Sequence, residues 1–405
     1  SNTTYVPYGP VTAMTYGNGL STNGTYDRDY RLNGLVSGSV YDTVFAYDAA
    51  NNITEITDGV DPLKTQSFSY DELYYLSEDT GQYGTIGYTY DPAGNRTQKA
   101  STQSGTLTDG EQVFQYNQAN RMAAFEKNGS TVATYKYNAL GQRVEKTRND
   151  EGSSTVYFYD LTGQVIGELI TDSSDIQTQR DIIWLNSQPV AQYASEDGGA
   201  AVVGYIHSDQ LNTPRVATDS AQQIVWRWDS DAFGVGEANN DQDNDGTNTL
   251  ISLRFPGQVH DAESGLHYNY FRDYDPSLGQ YVQSDPIGLQ GGLNTYAYVG
   301  GNPLMYTDPL GLIKKDKWYG YNDKNFRDWV HKQKQDMGLP GNKNFTKDQL
   351  KDLYDDWNDQ GCPGGKGAKS GGGKGNKLRK SVNRRNPFAP SPDKLPPGHP
   401  LEDLL

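Results

Sequence analysis

The chain has 405 residues, only 34% hydrophobic, yet 30 are Tyr and 45 are Gly; such a composition disfavours a helical bundle or a disordered chain and suits short strands joined by tight turns. The net charge of −16 is unevenly placed: residues 313–405 carry 19 basic and 12 acidic groups and residues 1–312 carry 16 and 39, so two contiguous pieces of opposite sign are expected to do two jobs. No apolar run approaches the ~20 residues of a membrane span, and the single Cys362 excludes an intramolecular disulfide framework or a multi-Cys zinc site.

The chain opens Ser1-Asn2-Thr3 with neither a Met nor an apolar leader core, so no signal peptide is expected in these residues; the start suggests a fragment or processed product, with any export signal to be sought upstream. A Tyr-Asp or Tyr-Asn pair then recurs at Tyr47-Asp48, Tyr70-Asp71, Tyr90-Asp91, Tyr116-Asn117, Tyr137-Asn138 and Tyr159-Asp160, at intervals of 20 to 26 residues. Alternation in Val113-Phe114-Gln115-Tyr116 and Thr134-Tyr135-Lys136-Tyr137 has the two-residue period of a strand. Asx and Gly follow and supply the turn, as in Tyr137-Asn138-Ala139-Leu140-Gly141. Each repeat reads as a hairpin that cannot bury its own apolar face, so its neighbours must do so.

These repeats resemble the tyrosine-aspartate repeats of the Rhs family of polymorphic toxins. The segment Tyr205-Ile206-His207-Ser208-Asp209-Gln210-Leu211-Asn212-Thr213-Pro214-Arg215 is similar to the one that precedes the family's core. Residues 252–312 are similar to the Rhs repeat-associated core, from Leu253-Arg254-Phe255-Pro256-Gly257-Gln258 through Phe271-Arg272-Asp273-Tyr274-Asp275-Pro276 to Asp308-Pro309-Leu310-Gly311-Leu312. The resemblance covers about residues 28–312 and implies a mainly β fold. Its hairpins would spiral into part of a hollow β-shell, truncated at the amino end, over residues 1–250. The core would occupy 251–312, and a small α-helical, partly disordered carboxy-terminal region 313–405.

Trp226 and Trp228 flank Arg227 on an expected strand and read as wall packing. Asp241-Gln242-Asp243-Asn244-Asp245-Gly246 matches the opening of a calcium loop, with Asp241, Asp243 and Asp245 as candidate Ca²⁺ ligands. The twelfth position, however, is Ser252 rather than a bidentate Glu, so an acidic surface turn is the plainer reading. His207, His260 and His267 lack metal-ligand spacing and are expected to pack.

Two DPxG segments carry the sharpest chemistry, Asp285-Pro286-Ile287-Gly288 and Asp308-Pro309-Leu310-Gly311. Each alone reads as a turn. Two Asp side chains brought together cannot both ionise comfortably, so one activates water while the other protonates the leaving amine. That chemistry hydrolyses a peptide with no cofactor. The Rhs resemblance implies that Asp285 and Asp308 form a self-cleaving aspartyl peptidase, with Arg272 in the place of the family's arginine and the scissile bond between Leu312 and Ile313.

Beyond Leu312, apolar spacing predicts a helical hairpin over about 322–360, its second helix opened by the capping box Thr346-Lys347-Asp348-Gln349. Eight of residues 361–375 are Gly, a linker composition. Lys374, Lys377, Arg379, Lys380, Arg384 and Arg385 then form a basic cluster suited to phosphates, or a solvated tail. No nuclease motif names a catalytic residue there. The resemblance implies that residues 313–405 are an effector, with nucleic acid as leading target, enclosed as cargo and released by self-cleavage. It also implies export, a delivery apparatus, a cognate immunity protein, and use against competing bacteria or a host. A cell-surface adhesion protein built from the same repeats is the alternative, and it predicts no cleavage at Leu312.

Overall fold

The computed structural model describes residues 3–5, 11–28, 31–91, 96–101, 112–292 and 294–312. Among these, the strands form three antiparallel sheets in which chain order is also spatial order. The first sheet has ten strands, from Thr3–Tyr5 to Arg96–Ser101; the second has twelve, from Gln112–Tyr116 to Ala238–Asn239. The third has four: Val259–Asp261, Leu266–Asn269, Arg272–Asp275 and Gln280–Tyr281. The mainly β fold expected from the repeats is therefore the observed one. No helix among the described residues is long and apolar enough to cross a membrane.

The Tyr-Asx pair has a double structural job. In five of the six pairs the Tyr hydroxyl reaches across the sheet to a main-chain carbonyl of the preceding strand: Tyr47 to Leu32 at 2.6 Å, Tyr70 to Ile53 at 2.8 Å, Tyr90 to Leu76 at 2.9 Å, Tyr137 to Met122 at 2.9 Å and Tyr159 to Arg143 at 2.7 Å. The following Asx oxygen gathers two turn amides. Asp48 Oδ1 accepts from Ala50 N and Asn52 N, and Asn138 Oδ1 from Leu140 N and Gln142 N. This is an Asx turn, and its fourth residue is left-handed, which is why Gly141 (φ 80°) and Gly163 (φ 87°) stand there. The pairing register slips at each of these Tyr residues, for example between Ala46 and Tyr47 and between Lys136 and Tyr137. Such bulges bend and twist a strand locally.

Strand alternation sets what is buried. In Tyr41–Tyr47 the side chains of Tyr41, Thr43 and Phe45 are buried, while Val44 and Ala46 face out. One core joins the first sheet to Val216, Ala232 and Phe233. A second core joins Trp226 and Trp228 of the second sheet to Tyr268, Tyr274 and Tyr281 of the third, with Phe255 and Tyr298 between. Both tryptophans are fully buried, as wall packing requires. The apolar faces are thus covered by opposing sheets as well as by neighbouring hairpins. The expected helical hairpin at 322–360 and the tail beyond it lie outside the described residues.

Candidate active site

The third sheet is the platform for a buried charged cluster. Its strand Arg272–Asp275 starts with Arg272, which is only 3% exposed. Arg272 Nε donates to the Gly311 carbonyl at 2.5 Å and Nη1 to the Thr295 carbonyl at 2.9 Å. Its remaining nitrogen, Nη2, lies 3.0 Å from Asp285 Oδ2 and 3.4 Å from Asp308 Oδ2. One guanidinium nitrogen therefore contacts both carboxylates, which sit 23 residues apart in sequence.

Each aspartate is presented by a turn, in agreement with the plainer reading of DPxG. Gly288 N donates to the Asp285 carbonyl at 2.9 Å and Gly311 N to the Asp308 carbonyl at 3.2 Å. Gly288 (φ 59°) and Gly311 (φ 65°) are both left-handed. Pro fixes its own φ at the second position of the turn, and Gly permits the positive φ at the fourth. The second turn is tied to the platform by Phe271 N donating to the Leu310 carbonyl at 3.1 Å.

The chain leaving the second turn stays in contact with Asp308 and passes Gly291 beside Asp285. Leu312 N donates to Asp308 Oδ1 at 2.9 Å. A Cβ placed on Gly291 would collide with Asp285 Oδ2 and come within 2.8 Å of the Leu312 carbonyl oxygen. Glycine at 291 thus leaves room for the Asp285 carboxyl and the Leu312 carbonyl at one point. Burial pushes the Asp285 carboxyl above its usual range and the Asp308 charge adds to this, while the Ile287 amide and Arg272 pull the other way.

Three residues that the motifs did not single out complete the cluster. Tyr281 Oη donates to Asp308 Oδ2 at 2.9 Å, and the Arg272 guanidinium lies 3.6 Å from the Tyr281 ring centroid. Asn269 Nδ2 donates to the Asp308 main-chain carbonyl and to Tyr281 Oη. Gly291 is the third. No sequence motif marks any of the three; Asn269 closes a strand whose four side chains are all buried.

Other candidates fall elsewhere. Asp241, Asp243 and Asp245 come together, with oxygens within 4.8 Å of one another. Asp241 Oδ1 accepts the Asp245 amide, and the Ser252 hydroxyl donates to Glu168. His207 packs on Tyr16, and His267 pairs with Gln258 at 2.8 Å. Ile313, the basic cluster Lys374, Lys377, Arg379, Lys380, Arg384 and Arg385, and the whole of 313–405 lie outside the described residues.

The Teneurin YD-shell family model matches residues 10–297. The chain is 27% identical over 303 residues to double-stranded DNA deaminase toxin A of Burkholderia cenocepacia, covering 67% of this chain and 21% of that protein. It is 31% identical over 237 residues to the probable deoxyribonuclease RhsA of Dickeya dadantii, covering 58% and 16%. With toxin protein Tse5 of Pseudomonas aeruginosa it shares 27% over 334 residues, covering 71% and 25%. The chain thus spans a quarter or less of the length of these relatives. Its fold is similar to that of the crystal structure of TcdB2-TccC3 without hypervariable C-terminal region, with a TM-score of 0.65 at 19% identity over 77% of this chain and 19% of that one.

Proposed function

The chain belongs to the Teneurin YD-shell family, within the Rhs/YD-repeat toxins, and on that premise we propose that it cuts itself between Leu312 and Ile313 and so releases residues 313–405 as an effector. The repeats of 1–250 and the core of 251–312 would form the shell part, and 313–405 its cargo. The observation that carries this reading is the single Arg272 nitrogen shared by Asp285 and Asp308, with the Leu312 amide bonded to Asp308.

The reaction needs only water. Asp308, as carboxylate, takes a proton from water, and the resulting hydroxide adds to the Leu312 carbonyl carbon. Asp285, as acid, gives its proton to the carbonyl oxygen. As the tetrahedral adduct collapses and its carbon–nitrogen bond breaks, Asp285 takes that proton back and passes it to the leaving Ile313 nitrogen, Asp308 keeps the proton taken from water, and the new Leu312 carboxylic acid ionises by giving its proton to the amine. The substrate is part of the same chain, so it is held at high effective concentration and each chain turns over once.

For the released piece, nucleic acid is the target this reading favours. Its net positive charge suits phosphates, and two of the relatives are named for chemistry on DNA. Such a toxin would be exported, would need a delivery apparatus, and would have a cognate immunity protein in the producing cell, whether aimed at competing bacteria or at a host. The test is amino-terminal sequencing of fragments from the purified full chain. A fragment starting at Ile313, absent from Asp285→Asn and Asp308→Asn, is expected; uncut wild-type chain would overturn the reading.

A further inference from the structure

The two aspartates are not equivalent in their surroundings. Asp308 is 2% exposed and its Oδ2 accepts a hydroxyl proton from Tyr281, while its Oδ1 accepts the Leu312 amide. Asp285 is 7% exposed; its Oδ1 accepts the Ile287 amide, and its Oδ2 meets Arg272. The Arg272 contact is common to both acids, so it cannot by itself decide which of them keeps the proton. The phenol can, because it touches only Asp308.

The direction of that phenol proton is fixed by Asn269. Asn269 Nδ2 donates to the Asp308 main-chain carbonyl at 2.9 Å and to Tyr281 Oη at 2.8 Å. The amide cannot be reversed, since its own oxygen would then face the Asp308 carbonyl oxygen. A phenol carries one proton. With Asn269 already donating to the Tyr281 oxygen, that proton goes to Asp308 Oδ2, 2.9 Å away. Burial and the neighbouring Asp308 charge push the Tyr281 hydroxyl far above its ordinary range, so it remains a donor wherever the protein is folded. The Asn269 side chain is fully buried, and its Oδ1 has no hydrogen-bond partner. The amide is therefore held by what its nitrogen does.

A hydrogen bond to the charged form of an acid favours that form, whereas burial favours the neutral one. We infer that Asn269 and Tyr281 are positioning residues that give the two aspartates their roles: Asp308 is held as the carboxylate that takes the proton from water, and Asp285 is left to carry the proton for the Leu312 carbonyl. This rests on the self-cleavage reading. Asn269 acts twice, through the Tyr281 hydroxyl and through the Asp308 main chain, so it also fixes where the second turn points its carboxylate.

The experiment is the pH dependence of self-cleavage in the full chain, refolded from urea into a series of buffers, for wild type, Tyr281→Phe and Asn269→Ala. Tyr281→Phe keeps the ring against Arg272 and removes the donor. A hydrogen bond to a charged group contributes about 1.5–3 kcal/mol, so the acid limb of its profile is expected to move up by about one pH unit with cleavage at least tenfold slower below it. Asn269→Ala frees the hydroxyl and the turn, and is expected to shift the limb the same way. A Tyr281→Phe profile that superimposes on wild type, or falls by one factor at every pH, overturns the inference and leaves the cleavage reading standing. If Tyr281→Phe is uncut throughout, thermal unfolding decides: an unchanged midpoint makes the hydroxyl indispensable to the reaction, and a lowered one makes its role structural and overturns the inference. Wild type uncut at every pH removes the cleavage reading itself.

Discussion

Arg143 and Asp261 form a two-point ion pair, Nη1 to Oδ2 at 2.6 Å and Nη2 to Oδ1 at 2.9 Å, with both side chains excluded from solvent. The pair joins a strand of the twelve-stranded sheet to the first strand of the sheet that carries Arg272. The rings of Tyr135, Tyr157 and Tyr268 lie 4.2–5.2 Å from the same guanidinium, and Lys146 adds a second cation 2.9 Å from Asp261. Burial pushes the Asp261 carboxyl up, but Arg143 and Lys146 outweigh it and hold it well below the usual carboxylate range.

Asp261→Asn would leave the buried Arg143 without its counter-charge and Lys146 with Glu263 alone, 3.2 Å away. Breaking a buried pair from one side costs about 3–5 kcal/mol, so urea unfolding should show a loss of that order at neutral pH. Because the folded state holds this carboxylate below its unfolded value, its contribution is present above about pH 4 and fades as the pH falls further. The difference between wild type and Asp261→Asn should therefore shrink in acid.

Gly291→Ala tests the space between the Asp285 carboxyl and the Leu312 carbonyl. Gly291 has an ordinary helical backbone (φ −77°), so alanine brings no backbone strain. Its Cβ would instead collide with Asp285 Oδ2 and crowd the Leu312 carbonyl. The expected outcome is self-cleavage slowed at least a hundredfold, with the unfolding free energy from urea titration lowered by no more than about 1–2 kcal/mol. Cleavage at the wild-type rate would show that the carbonyl and the carboxyl do not meet there in the reaction.

Asp273 neighbours Arg272 but faces away from the candidate site, paired with Gln283. Burial pushes its carboxyl up to about 6. Its proton is therefore bound more tightly in the folded state, and stability falls as the pH rises from about 4 to 6. Asp273→Asn keeps the shape and removes the buried charge. It should stabilise the chain by on the order of 2 kcal/mol at pH 8 and by clearly less at pH 5, measured by urea unfolding.

The buried histidines titrate with the opposite sign. Desolvation lowers His207 to about 4 and, with Arg254 adding to it, His260 to about 4. The unfolded chain binds these protons first, so stability should drop as the pH falls from about 6.5 towards 4. His260→Gln should reduce that slope. An unchanged slope between pH 6.5 and 4 would mean that His260 takes up its proton as readily in the folded chain as in the unfolded one.

Much of the sheet architecture is legible in the sequence because its cause is local. A Tyr-Asx pair encodes a turn whose amides bind the Asx oxygen, and alternation fixes the buried face. The same turn also occurs at Asp172, Asp209, Asp219 and Asp231, where no preceding Tyr marks it, so those copies escaped the repeat count. Two DPxG segments and Arg272 were readable through the Rhs resemblance. Tyr281 and Asn269 were not, since their meaning lies in contacts with Asp308 made 27 and 39 residues away. Arg143 and Asp261 lie 118 residues apart, and no local pattern couples them.

The most direct measurement is the intact mass of the purified full chain, followed over time at several protein concentrations. The account predicts two products whose masses divide the chain between Leu312 and Ile313, appearing with a first-order rate that does not change with concentration. A single intact mass, a break at another bond, or a rate that rises with concentration would contradict it.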